Sequence, residues 1–338
     1  MGKHDAIYPN KQYIEVLACP SCAGKLSMPS KDFICDDCGT RYRSISAGGQ
    51  IDLRITSTKT TKFTYNPSMS QNSLESELCR TIAPSLNPAN PHWVDVPLGN
   101  DLTYGNRLTR TLLSYFPRSR KDEWMLDLGC GDRRFEPLCR SLTGFNYLGI
   151  DYDGASPDVL ADAHALPFQD KCFGFVLSVA VLEHLAAPAM AMSEVMRVLK
   201  PGGIFIGTVA FLEPFHMDSH FHMSHMGLAR VLIDAGLEVI AIEPNRKWSG
   251  LRAQSEMALF RGRACWFQRA MVAVPHFASR ATDLLKAGRR SKAARLSDPA
   301  VATTGGFRFI ARRPVTSIRD EACVERMHLA VANDTIVE

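Results

Sequence analysis

The sequence has no long hydrophobic run. Its longest uncharged apolar stretches, at 172–182 and 201–212, are shorter than the roughly 18 residues needed to cross a bilayer. The first residues contain no apolar segment typical of a signal peptide, and position 6 is Ala where a myristoylation signal has Ser or Thr. We therefore expect a cytoplasmic protein without a transmembrane anchor.

The sequence also has little excess charge of either sign. Its 338 residues include 39 basic and 35 acidic side chains, which gives a formal net charge of +4. This balance by itself favours neither a nucleic-acid nor a membrane partner. The charges are unevenly placed, however, because residues 121–244 contain 8 basic and 17 acidic side chains, whereas residues 245–306 contain 12 and 3. A chain of this length predicts two domains, or one large domain with an appendage.

Cysteine is present, but not in a pattern that suits a disulfide framework. Four of the ten cysteines form two CxxC pairs and six are scattered, which is typical of a reducing compartment and one metal site. Twelve residues separate the pairs, the spacing of a zinc ribbon in which two tight knuckles direct four thiolates at one ion. The predicted zinc ligands are Cys19, Cys22, Cys35 and Cys38. The alternatives are a redox dithiol and a disulfide pair.

The predicted zinc ribbon covers residues 12–56. Short strand-like runs flank its knuckles at 13–17, 25–28, 32–34 and 41–45. Because the core of this segment is small, the metal would supply most of its stability. Five basic and five acidic side chains leave no net charge with which to hold phosphate. The pattern L-x-C-P-x-C-x-G-x-L followed by C-x-x-C-G-x-x-Y resembles small zinc-ribbon proteins that activate tRNA and protein methyltransferases, which implies a scaffolding or substrate-orienting role.

After a polar stretch at 57–100, predicted to be a linker, apolar strands alternate with amphipathic helices. This alternation predicts an α/β fold with an open, doubly wound parallel sheet. We expect strands at 124–128, 147–150, 159–161, 173–179, 204–209 and 237–242, a last strand within 305–314, and helices near 101–116, 134–142, 188–199 and 224–235. The ligand of such a sheet binds at the carboxyl ends of the strands, near the first one.

The predicted ligand edge carries glycines and carboxylates. LDLGCGDRRF places Gly129 and Gly131 in the turn that leaves the first strand, where a backbone without Cβ atoms can approach a ligand closely. The next strand ends at Asp151, about twenty residues later, where a carboxylate can accept both hydroxyls of a ribose. A dinucleotide fingerprint needs a third glycine, but position 133 is Arg. NAD and FAD are therefore disfavoured.

Five segments between about 123 and 244 carry a family pattern: LDLGCG, GIDYD, ADAHALPF, VLEHL and EVMRVLKPGGIFIGTV. Their order and spacing resemble those of class I S-adenosylmethionine-dependent methyltransferases of the type 11 group. The resemblance implies a Rossmann-like methyltransferase domain over 101–314, S-adenosylmethionine as cofactor and nine residues that bind it. These are Asp127, Gly129 and Gly131 around the methionine part, Asp151 and Tyr152 at the ribose, Asp162 and Ala163 at the adenine, and Ser178 and Val179 closing the pocket.

Three further features resemble a branch of this group associated with polysaccharide and glycolipid clusters: a leading zinc ribbon, a His after the fifth strand and a helical insertion before the last strand. This resemblance implies O-methylation, or N-methylation, of a sugar, glycan or other small or lipid-linked metabolite. An rRNA or tRNA methyltransferase is a second hypothesis, which the neutral ribbon and the absence of an Asn-Pro-Pro-Tyr-like motif disfavour. A non-catalytic binding partner that keeps the fold is a third, which the intact cofactor residues disfavour.

Histidines cluster on the predicted acceptor side of the domain. Transfer to an alcohol requires a base, and a His with a pKa of about 6.5 is the usual one at neutral pH. His216 is the main candidate, and His184 in VLEHL is the second, with bracing of its loop as the alternative role. His220, His222 and His225 could instead ligate a metal or line the acceptor loop, although no acidic or Cys partner completes a recognisable metal site.

Residues 245–306 are predicted to form a basic helical insertion with interleaved aromatic side chains. Such a segment suits anionic lipid head groups, and thus peripheral membrane contact, as well as a pyrophosphate-linked glycan or a nucleic-acid backbone. The alternative is a solvated lid or the arm of a homodimer. Residues 315–338 are predicted to be a tail. The basic insertion favours an anionic acceptor or surface, with nucleic acid as the less favoured partner.

Overall fold

The computed structural model of the chain describes residues 11–29, 32–42, 50–55, 108, 110–119, 122–214, 219–259 and 299–315. The predicted linker, most of the basic insertion and the tail from residue 316 onwards lie outside these residues. The domain boundaries therefore stay predictions. Within the described ranges, no helix is both long and apolar enough to cross a membrane.

The described residues form two sheets. The strands are β1 (Leu26–Ser27), β2 (Phe33–Cys35), β3 (Arg41–Tyr42), β4 (Ile51–Asp52), β5 (Trp124–Leu128), β6 (Asn146–Asp151), β7 (Val159–Leu160), β8 (Phe173–Val179), β9 (Leu199–Ala210), β10 (Glu238–Pro244) and β11 (Gly306–Arg312). The larger sheet has the order β10-β11-β9-β8-β5-β6-β7-β4. β11 is antiparallel to both of its neighbours, and the other pairs in this sheet are parallel. The strand order reverses at β5, and doubly wound sheets bind their ligands at the carboxyl end of the strand where this reversal occurs.

Helices connect these strands. They are α1 (Arg110–Ser114), α2 (Glu136–Thr143), α3 (Pro188–Val198), α4 (His225–Asp234), α5 (Gly250–Ala253) and α6 (Pro299–Thr303), with 3₁₀ helices at Lys11–Val16 and Leu182–His184 and a π-helix at Gln254–Leu259. The predicted doubly wound α/β sheet is confirmed. From residue 124 to 244 the predicted bounds differ from the observed ones by at most two residues, except at β9. That strand begins five residues earlier than predicted because Leu199 already pairs with Phe173, ahead of a bulge.

Burial explains why these segments form these elements. The first six residues of β8 are buried, as expected of a central parallel strand covered on both faces. In α3 the buried side chains recur at helical spacing, at Ala191, Met192, Val195 and Val198. Pro188 occupies the start of that helix, where its missing N–H leaves no hydrogen bond unmade. The apolar pattern therefore determines both the central strand and the helix packed beside it.

The N-terminal segment differs from its prediction in two places. β1, β2 and β3 form a small antiparallel sheet, but the strand predicted at 13–17 is wrong, because most of this run lies in the 3₁₀ helix Lys11–Val16. Tyr13, Val16 and Leu17 are spaced three and four residues apart, which suits one face of a helix, and all three pack on the main core. β4 was not predicted, since two residues carry too little pattern.

The four-cysteine segment, which comprises the described residues between 11 and 55, packs on the edge of the larger sheet. β4 pairs in parallel with β7, and Leu53 N donates to Leu160 O at 2.9 Å. Leu17 forms an antiparallel bridge with Phe168. Buried side chains of both parts belong to one hydrophobic cluster. The two parts therefore share a core and hydrogen-bonded strands.

We predict that Gly207→Ala strongly destabilises the protein. A Cβ at Gly207 would collide with the backbone oxygen of Ser178 and lie 2.6 Å from the ring of Phe309. The neighbouring backbone cannot give way easily, so we expect a loss of about 2 kcal/mol or more in the free energy of unfolding, measured with urea. Gly227→Ala is the matched control, because its Cβ would lie 3.5 Å from Ser224 Oγ inside α4. An unchanged urea midpoint for Gly207→Ala would contradict the close packing of β8, β9 and β11.

Candidate active site and four-cysteine cluster

The turn after β5 leaves room for a ligand. Gly129 and Gly131 have φ angles of +73° and +53°, in the left-handed region that favours glycine. A Cβ at Gly129 would collide with the side chain of Val181, whereas a Cβ at Gly131 would meet nothing within 4 Å. Packing therefore requires glycine at position 129, and Gly131 borders open space.

Asp151 ties the glycine turn to the end of β6. Its Oδ2 accepts a hydrogen bond from Gly131 N at 2.8 Å, and its Oδ1 accepts one from Tyr152 N at 2.7 Å. The side chain of Tyr152 is exposed. The structure thus brings the predicted ribose-binding pair beside the predicted methionine-binding turn.

Arg133 adopts the left-handed conformation that a third glycine would favour. Its φ is +61°, which is costly for a residue with a Cβ. Ion pairs hold its guanidinium to Glu136 at 2.8 Å and to Asp158 at 2.5 Å, and the group lies 5.1 Å above the ring of Tyr147. These contacts offset the backbone cost and keep the turn in place without a third glycine.

Asp127 is a buried carboxyl at the end of β5. Its side chain accepts a hydrogen bond from the Tyr147 hydroxyl at 2.6 Å, and the residue is only 1% exposed. Burial raises the pKa of Asp127 to about 7, although the hydrogen bond from Tyr147 lowers it. Near neutral pH this carboxyl is therefore close to the balance between its neutral and charged forms. Tyr147 was not predicted as part of the site, because an aromatic residue in an apolar strand carries the same pattern as a core residue.

Asp162 follows β7 and is held by His164. Its Oδ1 lies 2.6 Å from His164 Nδ1 and accepts from His164 N at 2.9 Å. The other ring nitrogen, Nε2, accepts from Ala187 N at 3.1 Å, so a neutral ring carries its proton on Nδ1 and donates it to Asp162. The hydrogen bond from the His164 side chain lowers the pKa of Asp162. A charged carboxylate thus stands at the predicted adenine position, beside the buried Ala163.

Ser178 and Val179 mark the carboxyl end of β8, on the opposite side of β5 from Asp151. Ser178 pairs with Gly207 and is fully buried. Its Oγ has no hydrogen-bond partner among the residues that the structure describes. Val179 is half-buried. The structure therefore collects the predicted cofactor residues at the carboxyl ends of β5, β6, β7 and β8.

The two predicted bases have different outcomes. His216 lies outside the described residues. His184 is half-buried at the end of the 3₁₀ helix Leu182–His184, in the loop that leaves β8. Its backbone N donates to Val181 O at 2.9 Å, and Val181 is the residue that packs on Gly129. His184 is thus two contacts away from the glycine turn.

The other described histidines do not form a metal site. His222 Nε2 lies 3.3 Å from Ser219 Oγ. The ring of His225 lies 5.7 Å from that of Phe307, and burial lowers the pKa of His225. In the described part of the chain, the four cysteines are the one group with metal-ligand geometry.

Glu183 is a site-edge residue that sequence reasoning missed, although it stands in VLEHL beside His184. Its side chain is 1% exposed, and within the described ranges its Oε2 has no hydrogen-bond partner. Burial raises the pKa of Glu183 to about 8, with a further contribution from the negative charge of Glu213. Its backbone oxygen accepts from His220 N at 2.6 Å and from Phe221 N at 3.0 Å. At neutral pH a mostly protonated carboxyl therefore lies where the loops after β8 and β9 meet.

The four predicted metal ligands come together. The sulfur atoms of Cys19, Cys22, Cys35 and Cys38 lie within 4.8 Å of one another. Cys19 and Cys38 are 3.7 Å apart, and Cys22 and Cys35 are 3.5 Å apart. Four thiolates at about 2.3 Å from a tetrahedral zinc ion would be about 3.8 Å apart, so the cluster fits one such ion. These separations also far exceed a disulfide bond, and all four cysteines are free.

Comparison with known proteins finds a family match within the larger sheet. Residues 126–207 match a family model described as a methyltransferase domain. This part of the chain is therefore similar to methyltransferase domains. The match runs from β5 into β9 and so includes the glycine turn, Asp151, Asp162 and the 3₁₀ helix Leu182–His184. S-adenosylmethionine is the cofactor expected of this domain.

Two curated relatives show how much of the chain is similar to known methyltransferases. A protein of Encephalitozoon cuniculi named as a methyltransferase is 40% identical over 105 residues, which cover 28% of this chain and 48% of the relative. The 2-methyl-6-phytyl-1,4-hydroquinone methyltransferase of Synechocystis sp. is 35% identical over 96 residues, which cover 24% of this chain and 30% of the relative. The chain thus spans less than half the length of these curated relatives.

Solved structures give weaker likeness. A chain of the Haloferax volcanii complex between the Trm112 methyltransferase activator and a methyltransferase is 21% identical with a TM-score of 0.40, and the alignment covers 60% of this chain and 88% of that one. The geranyl diphosphate C-methyltransferase of Streptomyces coelicolor A3(2) is 14% identical with a TM-score of 0.41, with 60% and 74% covered. The fold assignment depends on the strand order described above.

We predict that Cys22→Ser abolishes stoichiometric metal binding. Serine lacks the thiolate, and a tetrahedral site with three remaining ligands holds its ion far more weakly. Elemental analysis of the purified protein should give about one ion per wild-type chain and much less for the variant. Cys172→Ser is the control, because Cys172 lies outside the cluster and its thiol donates to Gln169 O. Equal metal content in both variants would contradict a four-cysteine site.

We predict a pH-dependent stabilisation by Glu183→Gln. The pKa of this carboxyl is about 8 in the folded protein and about 4.3 when unfolded. The folded state therefore binds more protons, and wild-type stability falls as pH rises between these values, by at most about 1.4 kcal/mol per unit. Glutamine does not titrate. In urea unfolding at pH 5.5 and 8.5, the free energy of unfolding of the variant relative to that of the wild type should therefore be more favourable at the higher pH. An equal difference at both pH values would contradict a buried protonated carboxyl.

Proposed function

We propose that the protein is an S-adenosylmethionine-dependent methyltransferase that methylates a hydroxyl, or an amine, of a sugar, glycan or other small or lipid-linked metabolite. The observation that supports this proposal most is the hydrogen bond between Gly131 N and the carboxylate of Asp151. There, a turn bordering open space is hydrogen-bonded to a carboxylate at the end of the next strand. Both residues lie inside the part of the chain that matches the methyltransferase family model, at the edge where a doubly wound sheet binds its ligand.

The residues present fit this cofactor in their chemistry. In the proposal, Gly131 lets the backbone approach the methionine part, Asp151 accepts the ribose hydroxyls and Asp162 accepts the adenine amino group. Asp127, whose carboxyl is partly charged near neutral pH, would add negative charge at the end of β5, which suits a cationic sulfonium. The remaining proposed cofactor residues are Gly129, Tyr152, Ala163, Ser178 and Val179.

When bound, the cofactor would supply a methyl group on a positively charged sulfur, and this sulfur would leave as a neutral thioether when a nucleophile attacks the methyl carbon in line. The chain itself has to align the acceptor, exclude water and take a proton from a hydroxyl. His184 and His216 are the proposed bases. The contact between Val181 and Gly129 joins the loop of His184 to the glycine turn. Proton acceptance and cofactor binding are therefore proposed to occur on adjacent loops.

Apolar side chains favour an acceptor with an apolar part. Leu212, Phe221 and Met226 follow β9 and are exposed, as is Leu251 in α5. Leu212 also packs close to Gly250, which links the two elements. Together with the basic composition of 245–306, these side chains support an amphipathic acceptor with an anionic group, and peripheral contact with an anionic membrane surface.

The four-cysteine segment is proposed to be a zinc ribbon over residues 12–56. Cys19, Cys22, Cys35 and Cys38 would hold the ion through four thiolates, which would give it a structural role and leave no open position for catalysis. Free cysteines throughout the described residues support a cytoplasmic, reducing location. In this proposal 57–100 is a linker, 101–314 is the methyltransferase domain with its insertion at 245–306, and 315–338 is a tail.

We predict that Asp151→Asn weakens S-adenosylmethionine binding roughly tenfold to hundredfold, because hydrogen bonds to a charged group are lost. Isothermal titration calorimetry measures the dissociation constant. Asp153→Asn is the matched control, since Asp153 lies in the same loop but its carboxylate accepts from Gly154 N. No heat from the wild-type protein, or equal affinities for both variants, would overturn the proposed cofactor site.

The acceptor class needs a separate experiment within the same proposal. The purified protein is incubated with methyl-labelled S-adenosylmethionine and, in parallel, with sugar-nucleotide, lipid and total RNA fractions. Label in the sugar or lipid fractions would support the proposed metabolite acceptor. Label confined to RNA would favour the rRNA or tRNA hypothesis, and no label in any fraction would favour a non-catalytic binding partner.

A further inference from the structure

The four-cysteine segment reaches the proposed ribose site through β4, its last strand. β4 occupies the edge of the larger sheet next to β7, and β7 pairs with β6, so that Asp151 lies opposite Leu160. The loop leaving β6, residues 152–154, directly follows Asp151 and contacts residues on both sides of β4. No other described strand lies beyond β4 on this edge.

Two side chains that flank β4 hold this loop. Gln50 Nε2 donates to Gly154 O at 3.3 Å, and Arg54 Nη1 donates to Tyr152 O at 3.0 Å. The loop is thus held at two backbone oxygens, one directly after Asp151 and one at Gly154. These contacts join residues that are 104 and 98 positions apart in the sequence.

Arg54 is itself held in position. Its Nε and Nη2 donate to the two carboxylate oxygens of Asp52 at 3.0 and 2.7 Å, and its backbone N donates to the same side chain at 3.2 Å. The guanidinium lies 5.5 Å from the centre of the Tyr152 ring. A planar group fixed by two parallel hydrogen bonds loses less freedom when it binds a third partner. Gln50 is buried, at 7% exposure.

We propose that Arg54 and Gln50 are positioning residues for the ribose side of the cofactor pocket, and that through them the four-cysteine segment sets the affinity for S-adenosylmethionine. This inference rests on the proposed function. The loop follows Asp151 and carries Tyr152. If only a fraction of the molecules hold this loop in the binding conformation, the apparent affinity for the ligand is reduced by that fraction. The two contacts keep the loop in that conformation.

The test is ligand binding by full-length, metal-loaded variants. Dissociation constants for S-adenosylhomocysteine are measured by calorimetry for the wild type, Arg54→Ala and Arg54→Lys, with melting temperature and metal content recorded for each. We expect roughly tenfold weaker binding for Arg54→Ala and partial recovery for Arg54→Lys, which can reach Tyr152 O but cannot pair with Asp52 through two parallel bonds. Arg230→Ala is the matched control, because Arg230 also pairs with an aspartate, Asp234, and has nearly the same exposure, 29% against 30%.

A second ligand separates positioning from a general loss of structure. The 2′-deoxy analogue of S-adenosylhomocysteine lacks one of the hydroxyls that Asp151 is proposed to accept. If Arg54 acts through that carboxylate, the analogue should be penalised in the wild type and much less in Arg54→Ala. Gln50→Ala should reduce the penalty in the same direction, which keeps the test open where Arg54→Ala lowers the melting temperature.

The outcomes distinguish the inference from the function beneath it. No binding of S-adenosylhomocysteine by the wild type would remove the proposed function and this inference with it. Normal wild-type binding together with unchanged affinity in folded Arg54→Ala would remove only the inference. An undiminished 2′-deoxy penalty in both Arg54→Ala and Gln50→Ala would do the same, since the loop would then bind ribose without the two contacts.

Discussion

The pairing of β5 with β6 on one side and β8 on the other is the constraint on which the site depends. Because all three strands are parallel, the loops that leave them emerge at one edge of the sheet. The loop of β5 carries the glycines, that of β6 follows Asp151, and that of β8 carries Val181. One packing contact and one hydrogen bond then join the three loops, since Val181 meets Gly129 and Asp151 accepts from Gly131 N. A chain with another strand order would place the same motifs apart.

Arginine side chains hold the periphery of this arrangement by occupying backbone oxygens and carboxylates. Arg313 Nη1 donates to the oxygens of Met196, Arg197 and Leu199, at the end of α3 where helical carbonyls lack partners. Arg197 holds Leu166 O and Phe168 O, and Arg54 holds Tyr152 O. Each contact joins parts of the chain that are distant in sequence. The irregular loops around the site are therefore fixed by charged hydrogen bonds, and the sheet beneath them by apolar packing.

How much could be predicted from the sequence depended on the range of the interaction. Apolar runs predicted the bounds of β5 and β8 to the residue. The matched CxxC spacing predicted the cluster of four cysteines. Both patterns are local in the sequence. The 3₁₀ helix at Lys11–Val16 was missed because five apolar-rich residues fit a strand nearly as well as a helix. Glu183 was missed because its raised pKa arises from burial that only the fold creates. The contacts of Arg54 with Tyr152 span 98 residues and have no sequence pattern at all.

The charge distribution also acquires a different meaning in the folded protein. Residues 121–244 carry 17 acidic side chains against 8 basic ones, yet two of the acids are buried, and burial raises the pKa of Asp127 to about 7 and that of Glu183 to about 8. At neutral pH this region is thus less negative than its composition indicates. On the proposed function, a sulfonium bound near Asp127 would favour the charged carboxylate and displace its proton. Part of the electrostatic attraction for the cofactor would then develop on binding, because burial keeps about half of the Asp127 carboxyls neutral near pH 7 until a cation binds beside them.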